Sequence, residues 1–171
     1  MPDLAAPAWP EVDAAAVLAL PVGSTEQHGP HLPLSTDTDV ALALCERLAG
    51  ARRDVLVAPA VAYGSSGEHA GFPGTLSIGQ DALELLLVEL VRSATLTFRR
   101  VLLVSTHGGD ASTVQRAARQ LRDESCDVLV WGSRTVTRTP GAPRRPCSWR
   151  SIRPGCAWTG RWPVTPGRSR S

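Results

Sequence analysis

Short apolar runs that alternate with helical patterns most constrain the fold of this chain. Runs rich in Val and Leu occupy residues 14–21, 54–58, 100–104 and 127–131. Between them, apolar side chains recur at helical spacing over residues 40–48, 80–98 and 110–122. This alternation predicts an α/β fold with three layers, in which a mostly parallel sheet is flanked by helices. Unbroken Val/Leu runs are typical of parallel strands that are covered on both faces.

Helix boundaries can be predicted from acidic residues and apolar spacing. Asp37 or Asp39 can cap the first helix, whose apolar face would carry Val40, Leu44 and Leu48. Asp110 follows a tight Gly-Gly turn and is expected to cap the third helix. Cys45 and Cys126 fall on predicted elements and are interpreted as small buried hydrophobic residues.

Polar loops follow the first and third predicted strands. In a parallel sheet, ligands bind beyond the carboxyl ends of the strands, and both loops (residues 23–38 and 105–110) leave from such ends. We therefore expect the two loops to meet in space. All four histidines of the chain fall in polar loop segments: His28, His31, His69 and His107.

The first loop, GSTEQHGPHLPLSTD, has the composition of a metal site. Glu26 and His28 are two residues apart, so an extended backbone would project both side chains to one side. Asp37 adds a second carboxylate after a loop segment that contains two prolines. Carboxylate and imidazole ligands suit Zn²⁺, Mn²⁺ or Fe²⁺. The alternative interpretation is an ordinary hydrogen-bond network within the loop.

Three motifs of this chain resemble those of the creatininase family of metal-dependent amidohydrolases. They are GSTEQHGPHLPLSTD, YGSSGEHAGFPGTLS and STHGGD, and they occur in the family's order between residues 18 and 131. The sequences of the first and third motifs are most similar to those of the peptidases that remove a C-terminal dipeptide from the ribosomally made mycofactocin precursor peptide. A creatinine amidohydrolase, or another hydrolase of small cyclic amides, remains the alternative within the family.

The resemblance implies a site with two divalent metal ions, either Zn, Fe or Mn. Glu26, Asp37 and His107 would hold one ion, while His28 and the bridging Asp37 would hold the second. The resemblance further implies a catalytic role for His31 in supporting the metal ligands. Glu68 and His69 would line the substrate pocket, which would take a precursor peptide or a small amide. It also implies that intact family members are homo-oligomers.

Charge and composition change abruptly near residue 138. Residues 1–138 carry a net charge of −5, whereas residues 139–171 carry +7 and contain no Asp, Glu or Leu. Trp and Cys are frequent in this segment, which is atypical of a disordered basic tail. A shifted reading frame offers another explanation, because it turns every Trp or Cys codon into one for Leu, Val or Met. The positions affected are Cys147, Trp149, Cys156, Trp158 and Trp162.

With permitted codons, residues 136–164 can shift to a sequence beginning DAHAGRTETSLLLAI, which resembles the family segment that follows the fourth strand. In the family, the Glu of this segment completes the ligands of the second ion. We therefore expect residues 1–131 to form an incomplete creatininase-like domain. We expect residues 132–171 to be a frameshifted, truncated, non-native and disordered tail. At most one ion would then be held well, and hydrolysis would be impaired or lost.

Other classes of function are less consistent with the sequence. The chain has no run of 18 apolar residues and no secretory signal, so we expect a cytoplasmic protein without a membrane partner. The part that carries the motifs is acidic, so we expect no nucleic-acid partner. A non-catalytic fragment that associates with family oligomers is the remaining alternative.

Overall fold

The structure is a computed structural model that describes residues 3–132. It contains four strands, which are β1 (Val17–Val22), β2 (Val55–Val57), β3 (Arg100–Ser105) and β4 (Val128–Gly132). The α-helices are α1 (Thr36–Ala51), α2 (Gln80–Ala94) and α3 (Ala111–Asp123). Short 3-10 helices lie at Trp9–Glu11, Gly67–His69 and Gly108–Asp110. The expected frameshift concerns residues that, except for Gly132, lie outside the described range.

The four strands form a parallel sheet in the order β2-β1-β3-β4, and this confirms the predicted α/β class. β1 pairs with β3 over its whole length, and the register places Val22 beside Ser105. Both strands therefore end at the same level of the sheet. The polar loops that follow them are brought together at this edge, as the sequence predicted.

Helices cover both faces of the sheet and produce the predicted three layers. On one face, α2 and α3 pack on the larger apolar cluster, which includes Leu18, Leu20, Leu87, Leu103 and Leu121. On the other face, α1 packs on a smaller cluster around Ala19, Cys45, Ala49, Val57 and Val104. β1 contributes alternate residues to the two clusters, because successive side chains of a strand point to opposite faces.

The prediction for α1 was wrong in its start and partly right in its buried face, because Leu44 and Leu48 pack against the smaller cluster but Val40 does not. The helix begins at Thr36, so Asp37 and Asp39 lie in its first turn rather than before it. Carboxylates are favoured there by the partial positive charge of the helix N-terminus. The buried residues are small: Thr38, Ala41, Cys45 and Ala49. Val40, which was expected on the buried face, is 46% exposed.

The start of α1 lies tightly against the end of β1. A Cβ atom on Gly23 would collide with the backbone of Thr38, so only glycine fits at this crossing. The hydroxyl of Thr38 donates a hydrogen bond to the backbone oxygen of Ser24 at 2.9 Å. This packing fixes the first turn of α1, and with it Asp37, next to the loop that follows β1.

β4 lies at one edge of the described sheet and is less covered than the central strands. Leu129 and Trp131 on this strand are 46% and 50% exposed. Cys45 is fully buried and Cys126 is partly buried, which agrees with their predicted roles as small hydrophobic residues. In the described part of the chain, no helix is long and apolar enough to cross a bilayer.

Candidate metal centre

Three separate segments bring acidic and imidazole side chains together at the carboxyl edge of the sheet. Glu26 lies in the loop after β1, Asp37 lies in the first turn of α1, and His107 lies in the loop after β3. One potential ligand atom from each of these residues lies within 4.8 Å of the other two. The family resemblance implied this group of three, and the meeting of the two loops explains how Asp37 and His107, 70 positions apart, become neighbours.

Glu26 is almost completely buried, and only one of its carboxylate oxygens has partners. Oε1 lies 3.3 Å from both His107 Nδ1 and His69 Nε2. Among the described residues, Oε2 is buried without a partner in hydrogen-bond geometry, and the hydroxyl of Ser66 beside this carboxylate has none either. Burial alone would raise the pKa of Glu26, but the hydrogen bond and positive charge of His107 hold it below its ordinary value. A buried anionic oxygen without a partner is the kind of group that a cation satisfies.

Asp37 presents its two carboxylate oxygens to two different histidines. Oδ2 lies 3.0 Å from His107 Nδ1 and accepts a hydrogen bond from the Ser24 hydroxyl at 2.9 Å. Oδ1 lies 3.1 Å from His28 Nε2. Burial tends to raise the pKa of Asp37, but these partners outweigh it and lower the pKa. A carboxylate oriented in this way can bridge two cation positions, one beside each imidazole.

His107 is held with Nδ1 turned towards the carboxylates. Its Nε2 lies 3.3 Å from the backbone oxygen of Ser65, to which it donates a hydrogen bond. Burial by itself lowers the pKa of His107, but hydrogen bonds to Asp37 and Glu26 raise it to about 11. In this state a proton on Nδ1 occupies the position between two carboxylates. A divalent cation would replace that proton, as metal binding to histidine requires.

His28 shows the same arrangement with the ring nitrogens exchanged. Its Nδ1 donates to the backbone oxygen of Glu26 at 3.1 Å, and its Nε2 faces Asp37 Oδ1, where a cation could take the place of a proton. Hydrogen bonds of this type fix the orientation and tautomer of imidazoles that ligate metals. The donor set of two carboxylates and two imidazoles therefore fits the divalent ions predicted from the sequence.

The remaining predicted residues lie at different depths. His69 is buried beside Glu26 and so belongs to the cluster. Glu68 is half exposed at its border, with Oε1 3.9 Å from His107 Nε2. His31 is exposed, and among the described residues no hydrogen bond or ion pair joins it to another side chain. The catalytic role expected for His31 stays a prediction.

Asp110 has a structural role that differs from the expected helix cap. It occupies the N-cap position of α3, but its side chain makes no capping hydrogen bond. Instead, Oδ1 accepts a hydrogen bond from the backbone N–H of Ser65 at 2.6 Å. Burial raises the pKa of Asp110 to about 6, although His107 and the Ser65 N–H act in the opposite direction. Sequence reasoning missed this contact, which joins residues 45 positions apart.

Gly109 has no side chain, and this allows His107, Ser65 and Glu68 to pack closely against its backbone. A Cβ atom at Gly109 would lie 2.8 Å from the Ser65 oxygen and would also collide with His107 and Glu68. At Gly108, by contrast, a Cβ atom would meet nothing within 4 Å. In the structure, the close approach at Gly109 is to the residues that orient His107.

Comparisons with known proteins agree with this geometry. The family profile described as "Creatininase: Creatinine amidohydrolase" matches residues 5–157 and therefore runs into the segment with the expected frameshift. A "Mycofactocin precursor peptide peptidase" of Mycolicibacterium smegmatis is 54% identical over 117 residues, which are 66% of this chain and 47% of the relative. The "Creatinine amidohydrolase" of Pseudomonas putida is 36% identical over 110 residues, covering 58% of this chain and 42% of that protein.

Solved structures show the same fold. One described as "Creatininase Mn" superposes with a TM-score of 0.64 and 29% identity over 76% of this chain and 57% of that chain. A mutant creatininase of "Zn-Zn type" gives a TM-score of 0.63 and 28% identity over 77% of this chain and 57% of that chain. The chain spans about half the length of the curated relatives it matches.

Proposed function

This chain belongs to the creatininase family, and we propose that it is a divalent-metal-dependent hydrolase of amide or peptide bonds. The observation that carries the proposal is the position of Asp37, which faces His107 with one oxygen and His28 with the other. Such a shared carboxylate is what a pair of neighbouring cations requires. Glu26 completes the ligands on the His107 side with its unpartnered oxygen.

We propose that Glu26, Asp37 and His107 hold one ion more firmly than His28 and Asp37 hold a second. Among the described residues, three ligands surround the first position, whereas only two face the other. Bound ions would supply the positive charge that polarises an amide carbonyl and favours deprotonation of an attacking water. Zn, Fe and Mn all accept these ligands. Two solved creatininase structures carry Mn or Zn in their descriptions.

The chain's own residues would orient the substrate and handle protons around that centre. Glu68 lies at the exposed border of the cluster, where it can receive the polar end of a substrate. Ser65 and Asp110 hold the imidazole of His107 in place from the buried side. His31 is exposed in the loop after β1, and its proposed catalytic role requires it to turn towards the ligands when substrate binds.

The proposed substrate is the C-terminal end of a mycofactocin precursor peptide. The support for this choice is the 54% identity to a relative that bears the corresponding name. A synthetic precursor peptide should lose its C-terminal dipeptide when it is incubated with the chain and Mn²⁺ or Zn²⁺, as followed by mass spectrometry. Because the second position has few ligands, we expect a rate well below that of a full-length relative. Removal of metal, or His107→Ala, should abolish this activity.

Creatinine hydrolysis is the second candidate, favoured by the 36% identity to the Pseudomonas enzyme. Assaying creatinine and the peptide in parallel separates the two proposals. Cleavage of neither substrate, with metal bound, would support a non-catalytic partner of family oligomers. We also propose self-association of the chain, which light scattering after size-exclusion chromatography can measure.

A further inference from the structure

The side chain of Gln27 is engaged at both ends, and this fixes the orientation of its amide. Its Oε1 accepts a hydrogen bond from the backbone N–H of Gly29 at 2.9 Å. A backbone N–H can only donate, so the atom facing it has to be the amide oxygen. The amide nitrogen of Gln27 is therefore at the other end, 2.7 Å from Nδ1 of His69.

The orientation of Gln27 determines the tautomer of His69. An amide nitrogen donates and does not accept, so His69 Nδ1 has to offer a lone pair. A neutral imidazole with a lone pair on Nδ1 carries its proton on Nε2. This Nε2 lies 3.3 Å from Glu26 Oε1, and the side chain of His69 is only 11% exposed. His69 is thus a hydrogen-bond donor to Glu26.

The three buried or half-buried histidines of the cluster consequently divide into two kinds. His28 and His107 donate from one ring nitrogen to a backbone oxygen and turn the other towards carboxylates. His69 accepts from a side-chain amide at one ring nitrogen, so in its neutral form the proton has to lie on the nitrogen that faces a carboxylate. When neutral, only rings of the first kind have a lone pair on the nitrogen that faces the carboxylates, which is where a metal ion would bind.

We infer that Gln27 and His69 are positioning residues. Gln27 fixes the tautomer of His69, and the N–H of His69 then holds Oε1 of Glu26 in place. The anchored carboxylate keeps Oε2, which has no partner in the described structure, available for a cation. This inference rests on the proposed metal centre and revises the expected role of His69 as a residue of the substrate pocket. It assigns a function to Gln27, which the motif contains but which no ligand prediction used.

The first test measures the tautomer directly, in the full chain without metal. Long-range ¹H–¹⁵N correlation spectra, assigned with a His69→Gln variant, should show that the neutral His69 ring carries its proton on Nε2. Gln27→Met keeps the side-chain length but has no amide, so Nδ1-protonated rings should become populated. Gln80→Met at the exposed start of α2 is the matched control and should leave the spectrum unchanged. A wild-type ring protonated on Nδ1 would overturn the inference.

The second test uses metal affinity, measured by calorimetry with Mn²⁺. Residues that orient a ligand typically change affinity by roughly 10–100-fold, and we expect a loss of this size in Gln27→Met with unchanged stoichiometry. His69→Gln retains a donor near the position of Nε2 and should preserve most of the affinity, whereas the shorter His69→Asn should not. Equal affinities in wild type and Gln27→Met would overturn the inference. Absence of binding in the wild type would instead refute the proposed metal centre, while the tautomer measurement would still decide the role of Gln27.

Discussion

The buried carboxylate of Asp110 accepts a hydrogen bond from the backbone N–H of Ser65, with 2.6 Å between the two atoms. The carbonyl oxygen of the same Ser65 accepts the Nε2 proton of His107. Asp110 therefore holds the residue that orients the imidazole, although it is not placed to ligate a metal itself. Its second oxygen, Oδ2, is buried without a partner.

Asp110→Asn should stabilise the metal-free protein at neutral pH. The amide oxygen can still accept from Ser65, while the buried charge is removed. Burial disfavours the charged carboxylate, as its pKa of about 6 shows, so we expect a gain of about 1–3 kcal/mol in the free energy of unfolding. Urea denaturation at pH 7 measures it. Asp110→Leu, which has no acceptor for the Ser65 N–H, should be less stable than wild type, and a loss of stability in Asp110→Asn would contradict this interpretation.

The same residue predicts how stability depends on pH. The pKa of Asp110 is raised from 3.8 to about 6, so the folded protein binds more protons than the unfolded chain between these values. Stability from this group is therefore present at low pH and is lost as the pH rises from about 4 to about 6. The difference in unfolding free energy between Asp110→Asn and wild type should grow over this window. A difference that stays constant from pH 4 to pH 7 would contradict the assignment.

Gly109→Ala and Gly108→Ala form a matched pair for the packing around His107. A Cβ atom at Gly109 would lie 2.8 Å from the Ser65 oxygen, whereas one at Gly108 meets nothing within 4 Å. Overpacking of this kind typically destabilises by about 1–3 kcal/mol, so Gly109→Ala should lower both the thermal midpoint and the metal affinity. Gly108→Ala should behave like wild type in both measurements. Equal effects of the two substitutions would show that the close approach at Gly109 is unimportant.

Asp37→Asn should abolish most of the metal affinity. The substitution removes the charge that faces His28 and His107 and leaves one oxygen instead of two. Loss of a direct ligand should exceed the roughly 10–100-fold effects of supporting residues. Asp39→Asn is the control, because Asp39 is exposed in the same helical turn and, within residues 3–132, its side chain accepts only from Ser35. Calorimetric titration with Mn²⁺ or Zn²⁺ compares the two, and similar affinities would argue against a shared carboxylate.

The composition of residues 139–171 predicts a change of reading frame in the gene. Sequencing the DNA that encodes residues 130–146 should reveal a single inserted or deleted base. Its correction should restore a segment resembling HAGRTETS. An uninterrupted frame shared with close relatives would contradict the prediction and would make the Trp and Cys residues of this segment part of the natural protein.

The sequence predicted the elements of the fold because strand and helix periods are local properties. It also predicted the meeting of Glu26 with His107, since parallel strands end at one edge. The burial of Thr38 and Ala41 on α1 was not predicted, because neither residue is conspicuously apolar and their burial depends on the close approach at Gly23.

The hydrogen bonds that hold the candidate ligands in place could not be predicted from the sequence either. Asp110 and Ser65 are 45 residues apart, and Gln27 and His69 are 42 residues apart. Each pair meets only after the segment between β2 and α2 has folded over the ends of β1 and β3. A helix-cap rule was sufficient to place Asp110 at the start of α3, but it could not show that the carboxylate points away from that helix.

The most direct test of the proposed centre is the number of ions bound per chain. Equilibrium dialysis against Mn²⁺ or Zn²⁺, followed by elemental analysis, should find about one firmly bound ion in the wild-type protein. His107→Ala removes the imidazole between Glu26 and Asp37 and should bind none under the same conditions. A folded wild-type chain without bound metal, or a His107→Ala variant that binds as wild type does, would contradict the metal centre on which the proposed function depends.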